Sequence, residues 1–307
     1  MRQQVELRVP ANEIATPLPL AKLSAYVALT KPRIIELLLI TTVPTMFVAS
    51  KHIPSFAVVI LTVIGGALAA GGANAFNMVY DMDIDKIMKR TSNRPLVTGQ
   101  ITPKAAIVFA FSLELASFLL FWQTVNLLSG VLAVVATCFY VLIYTMWLKR
   151  STSQNIVIGG AAGAVPVLVG WTAVTDHLSW TALVLFLVIF FWTPPHFWAL
   201  ALKYKDDYRA ANVPMLPAVS NPKKVLLNIQ IYTLILFGIS LAIAPVGHLG
   251  AVFFSVTVVL GLIFCYKTFT LNKDLSEKNA MRLFGYSITY LSVLFVAMGI
   301  TAVVLHP

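Results

Sequence analysis

Five of the chain's 12 carboxylates are gathered in two short runs, each closing a long apolar stretch. The first reads Asn77-Met78-Val79-Tyr80-Asp81-Met82-Asp83-Ile84-Asp85, and the second ends Lys203-Tyr204-Lys205-Asp206-Asp207-Tyr208. Acids at a membrane boundary are costly unless opposite charge stands by. Here it does: Lys86, Lys89, Arg90 and Arg94 follow the first run, and Lys203, Lys205 and Arg209 surround the second. Carboxylates and cations interleaved in this way suit a metal-bridged polyanion, above all a diphosphate held through Mg²⁺.

If residues 77–85 continue a helix, Asn77, Asp81 and Asp85 recur every four residues on one face, while Asp83 points away. Like charges at that spacing repel, so the stripe predicts a cation between them. It also closes a helix C-terminus, whose partial negative charge attracts a cation further. Oxygen ligands without an adjacent His or Cys favour Mg²⁺ over Zn²⁺. Arg90 and Arg94, in the loop beyond, carry guanidinium forks that can grip phosphate oxygens in pairs. In the second run, His196, Lys203 and Asp207 fall within about 40° of one another around a helix axis. Asp206 lies off that line but near enough to share a metal with Asp207. Pro194-Pro195 is expected to break the hydrogen-bond ladder and kink the helix beside His196. His196 alone of the five histidines lies in an apolar segment. Packing, proton transfer and contact with a metalloporphyrin are all open to it.

The elements that must position these groups are membrane helices. With 59% hydrophobic and 11% charged residues, the chain is not a water-soluble one. Nine apolar segments approach the length of a bilayer crossing, at 34–50, 55–80, 104–122, 127–147, 156–175, 181–202, 224–244, 249–269 and 284–304. The expected fold is therefore an all-α polytopic helical bundle, with residues 1–33 as a tail and interfacial segment and 34–307 as one domain. Of the 22 Lys and Arg residues, all but Lys51 fall on alternate loops, which places the N-terminus and both acidic runs on the cytoplasmic side. An odd number of crossings puts Leu305-His306-Pro307 outside. The net charge of +10 then reflects topology and anionic lipid, with no need for nucleic acid. Cys138 and Cys265 have no metal or redox spacing and are expected to pack in the core. Runs such as Gly65-Gly66, Gly71-Gly72 and Gly159-Gly160 mark faces for close helix packing or the lining of a cleft.

The Asn77-x-x-x-Asp81-x-x-x-Asp85 stripe, with a second acidic motif four helices later, resembles the UbiA superfamily of intramembrane prenyltransferases. Lys31-Pro32-Arg33, Arg94-Pro95-Leu96, Asn155 through Gly160, Trp192-Thr193-Pro194-Pro195-His196-Phe197 and Tyr204-Lys205-Asp206-Asp207-Tyr208 are similar to its heme O synthase branch. The resemblance spans about residues 25 to 300. It implies a UbiA-type bundle in the cell (inner) membrane, with farnesyl diphosphate and heme B as substrates and Mg²⁺ as cofactor. It further implies that Asn77, Asp81, Asp85, Asp206 and Asp207 hold metal, and that Arg90, Arg94, Lys149 and Lys203 clamp the diphosphate. His196 or Tyr208 would then position the water that adds after prenyl transfer, and the heme product would pass to a heme-modifying enzyme or oxidase. Another aromatic acceptor stays open, as does an ion-coupled transporter. Glu114, midway along the third segment, fits a transporter better than an enzyme.

Overall fold

Long apolar runs with scarcely a charge can satisfy their backbone amides in lipid only through their own helical ladders. The structure, a computed structural model, describes residues 19–305, so most of the expected tail, and His306-Pro307, lie outside the described residues. α1 (Pro19–Thr30) and α2 (Pro32–Ser50) meet at a 53° bend around Lys31, which is left-handed at φ 53° just before Pro32. α3 (Phe56–Tyr80) gives way at Asp81 to the short α4 (Met82–Ile87). α5 (Pro103–Thr124), α6 (Leu127–Ser151), α7 (Asn155–Thr175) and α8 (Trp180–Lys203) follow. α9 (Lys205–Ala210) and α10 (Leu216–Val219) are short, and α11 (Pro222–Val246), α12 (Gly250–Lys273) and α13 (Glu277–Leu305) complete the chain. Among the described residues, eight helices are long and apolar enough to cross a membrane, and the bent α1–α2 pair makes nine when counted as one span. This is a multi-pass membrane protein.

Helix starts follow ordinary capping chemistry. Thr102, Asn126, Ser179 and Asn221 each accept a hydrogen bond from a backbone N–H in the first turn of the helix that follows, satisfying an orphan donor. The middle of α6 departs from α geometry: Phe139–Leu148 is π-helical. The helices form a closed ring in the order α2, α3, α5, α6, α7, α8, α11, α12, α13, with α13 returning to α2. Within it α2–α3–α5–α6 and α7–α8–α11–α12 repeat the same succession of neighbours. α7 also packs on α2, and α13 on α8, across the interior.

Small residues do both of the jobs open to them. A Cβ on Gly65 would lie 2.6 Å from the Phe121 ring, so this glycine sets the α3–α5 spacing. Gly66, Gly160 and Gly163 instead face the interior hollow. Two expectations fail. α8 runs unbroken through Pro194 and Pro195, with Thr193 donating to the Ile189 carbonyl at 2.8 Å. Cys138 is exposed on the outer face, and only Cys265 is buried.

Candidate active site

A cavity of about 560 Å³ lies inside the ring, walled by α2, α3, α6, α7, α8 and α13. Such a volume is typical of a small-molecule site. Most of its wall is apolar, but one end is crowded with charge: Lys31, Arg33, Arg90, Arg94 and Lys149 line it together with Asn77, Asp85, Tyr140, Tyr144 and Tyr208.

The first acidic run forms the base. The backbone N–H of Asp85 donates to the Asp81 carbonyl at 2.8 Å, so helical geometry carries across the junction of α3 and α4 and keeps the expected stripe in line. Asn77 is the hub. Its Nδ2 donates to Asp81 Oδ2 at 2.8 Å and to Thr145 Oγ1 at 3.0 Å, while its Oδ1 accepts from Lys31 Nζ at 2.8 Å. Asp81 is fully buried, and Lys149 Nζ donates to its Oδ2. Its Oδ1 accepts no hydrogen bond, and Arg150 Nη2 comes no nearer than 3.8 Å. Asp85, also buried, pairs with Arg94 Nη1 at 2.5 Å. Burying a carboxylate without such a partner is prohibitive, and each of these two has one, Asp81 from a distant helix and Asp85 from the loop just beyond it. Asp83 turns away, as its phase requires, and takes both arms of Arg150 at 2.7 Å. That guanidinium holds the Asp83 carboxyl down at about 2.

The second run is arranged differently. α8 ends at Lys203, and Tyr204 leaves helical geometry at φ −104°, ψ 20°, so the expected alignment of His196, Lys203 and Asp207 is broken. Lys203 pairs with Glu277 at 2.9 Å, and Asp206 pairs with Arg209 at 3.1 Å on the surface. Lys203, Asp206 and Asp207 are absent from the cavity wall, whereas Tyr208 is on it. The two runs meet through Arg90, which lies 5.5 Å from the centroid of the Tyr204 ring and beside Tyr208. Burial pushes the Tyr208 phenol above its usual range, and Arg90 pulls the other way. Among the described residues, no three His, Cys, Asp or Glu side chains stand close enough to form a metal cluster.

Further up the wall, His196 is buried between Trp192 and Phe284, with ring centroids 4.1 and 4.6 Å away and near-parallel planes. Glu114 is not a stray charge. Thr137 Oγ1 donates to it at 3.1 Å, and Gly72 leaves room for its carboxyl against α3.

The model of the UbiA prenyltransferase family matches residues 38–299. The chain belongs to the UbiA prenyltransferase family. The chain is 52% identical to a protein of Streptomyces avermitilis named protoheme IX farnesyltransferase, over 91% of this chain and 94% of that one. A protein of the same name from Mycobacterium avium is 50% identical, over 91% of each chain. Among solved structures, a digeranylgeranylglyceryl phosphate synthase superposes with a TM-score of 0.76 at 17% identity, covering 92% of this chain and 99% of that one. A UbiA homologue from Archaeoglobus fulgidus bound to DMAPP and Mg²⁺ gives 0.69 at 17% identity, over 91% and 99%. These likenesses show the same fold.

Within this UbiA bundle, sequence reasoning missed the parts that need tertiary contact to be seen. Lys31 and Arg33 carried meaning only as pieces of a motif, although a basic residue at a proline-marked helix break was the available signal. No local periodicity marks Tyr140 and Tyr144 as lining a site. In the structure they stack with centroids 5.4 Å apart and face the cavity.

Proposed function

We propose that this UbiA-family protein transfers the farnesyl group of farnesyl diphosphate to a vinyl group of heme B. Water adds in the same overall reaction, and heme O and diphosphate are the products. Strong identity to curated relatives named protoheme IX farnesyltransferase, across nine-tenths of the chain, supports the acceptor. The observation that carries the chemistry is the polarity of the cavity. Five basic side chains, Asn77 and Asp85 line one end, with the buried Asp81 hydrogen-bonded behind Asn77, while the rest of the wall is apolar. An anionic head fits the first part and a terpenoid tail with a porphyrin fits the second.

The residues present suit Mg²⁺. Asp81 Oδ1 is sealed from solvent with no hydrogen bond, and Asn77 and Asp85 offer further hard oxygens one helical turn to either side. Those three would hold the ion. The Asp207 carboxylate forms no hydrogen bond or ion pair among the described residues, although the backbone carbonyl accepts from Ala211, and it is the candidate for a further ligand from the second run. When bound, Mg²⁺ supplies neutralisation of diphosphate charge, which makes an allylic diphosphate a better leaving group.

The chain's own groups do the rest. Arg90, Arg94 and Lys149 bind the diphosphate oxygens, with Lys31 and Arg33 completing the basic rim. Bidentate arginine forks also fix the head so that the allylic carbon points up into the apolar chamber. Excluding bulk water there protects the farnesyl cation until the vinyl carbon reaches it. Lys203 and Asp206, paired elsewhere and off the cavity wall, make no direct contact with substrate in this reading. The N-terminus and acidic loops face the cytoplasm, the C-terminus lies outside the cell (inner) membrane, and the product passes to a heme-modifying enzyme or oxidase.

The test is to incubate the purified protein with heme B, farnesyl diphosphate and Mg²⁺ and weigh the porphyrins. A porphyrin heavier by one farnesyl and one water supports the reading. Unchanged heme, with farnesyl transferred to a different aromatic acceptor under the same conditions, overturns it.

A further inference from the structure

His196 lines the cavity, and its hydrogen bonds determine what its free edge carries. Both ring faces are covered, by Trp192 and Phe284, with Phe197 perpendicular at 5.1 Å. On one edge, Nδ1 lies 2.7 Å from Ser287 Oγ. The same Oγ is 2.6 Å from the Phe284 carbonyl oxygen. Two oxygens that close need a proton between them, and a carbonyl has none to give, so the Ser287 hydroxyl donates to Phe284. Its oxygen can then only accept from His196, which puts the imidazole proton on Nδ1. Nε2 is left with a bare lone pair and no hydrogen bond among the described residues, on a ring that lines the cavity. The arrangement is braced, because Trp192 Nε1 donates to the Ser287 carbonyl at 2.8 Å.

We infer that His196 is the base that removes the proton from the water that adds to the prenylated porphyrin, and that Ser287 is the positioning residue that fixes its tautomer. This rests on the reaction proposed above. In that reaction the C–O bond of farnesyl diphosphate breaks, and the diphosphate departs with the electron pair. The vinyl π electrons form the new C–C bond to the farnesyl carbon, leaving a cation on the side-chain carbon next to the porphyrin ring. A lone pair of water forms the C–O bond to that carbon, and the O–H proton goes to His196 Nε2. The imidazolium lies between two aromatic faces, which favour a cation, and later returns the proton to solvent. Without the base, the cation loses a proton from the neighbouring carbon and yields an alkene that is one water lighter.

The experiment compares native protein, Ser287→Ala, Ser287→Thr and His196→Gln with heme B, farnesyl diphosphate and Mg²⁺, scoring the ratio of alkene to hydrated product by mass. His196→Gln should raise that ratio by about 10²-fold, the lower end of what a positioned base contributes. Ser287→Ala should raise it about tenfold, an intermediate effect because the base remains but its tautomer is free. Ser287→Thr, which keeps the hydroxyl, should restore the native ratio. Variants that turn over more slowly at the native ratio overturn the inference and leave the prenyl-transfer reading intact. A native protein that makes no farnesylated porphyrin removes the reading itself. A shifted heme absorption band in His196→Gln, at the native product ratio, would make the residue an iron ligand instead of a base.

Discussion

The ends of α3 and α8 carry similar sequences, an apolar helix closing in acids with basic neighbours, yet they fold into different environments. At the end of α3, Asp81 and Asp85 are sealed in, Asp81 by Lys149 from the end of α6 and Asp85 by Arg94 from the loop that follows. At the end of α8, Asp206 pairs with Arg209 three residues away, and Lys203 reaches out to an exposed Glu277. The difference lies in which way the cations face. Lys149 and Arg94 turn towards the hollow and let a carboxylate be buried beside it, whereas Arg209 and Lys203 hold theirs at the surface, where an ion pair adds little. Charge density in a sequence marks both regions, but only charges that converge on the hollow make a site.

The contrast can be broken by mutation. Asp81→Ala or Asp85→Ala should lower turnover on the order of 10³-fold, as expected when the centre that stabilises the leaving group is dismantled, with helicity and membrane insertion unchanged by circular dichroism and fractionation. Gly159→Ala comes next. A Cβ there would collide with the Tyr144 ring and drive it into the cavity, costing about 10²-fold in kcat/KM through displaced substrate. Asp206→Ala and Lys203→Ala should each stay within about threefold of native activity, since exposed pairs contribute little. A loss at Asp206 as large as that at Asp81 would show that the second run closes on substrate and would erase the distinction.

The smallest effect concerns Asp83. Its carboxyl is held at about 2 by Arg150, below the unfolded value of about 3.9. A depressed carboxylate stabilises the fold above the unfolded value, and the contribution fades as pH falls from about 4 towards 2. The difference in melting temperature between native protein and Asp83→Asn should therefore be present at neutral pH and vanish across that window.

Much of this was legible in the sequence. Nine apolar segments each fall on one span, because hydropathy over some twenty residues registers a bilayer directly. The Asn77–Asp81–Asp85 stripe holds because α4 continues the phase of α3. The stripe of His196, Lys203 and Asp207 does not hold, since it required a helix to run through Tyr204. The roles of Lys31 and of the Tyr140–Tyr144 pair stayed hidden for a different reason. Their significance comes from facing a hollow assembled by six helices, and no local periodicity encodes that. The partner of Glu114 was equally invisible, as Thr137 sits on the next helix of the ring.

The π-helical stretch in α6 has a consequence for this architecture. In a regular α-helix, residues five apart point about 140° from one another, so Tyr144 and Lys149 could not both reach the hollow. Wider turns between Phe139 and Leu148 bring them onto the same side. The extra backbone hydrogen-bond spacing acts as a phase shifter, adding about one residue's worth of rotation just before the ammonium that meets Asp81. Deleting a single residue between Tyr144 and Lys149 would let the helix relax to ordinary winding with the two still on one side, about 40° apart, whereas α winding at full length would swing Lys149 towards lipid. Register along α6, as much as the identity of any side chain, is then what selection has to preserve.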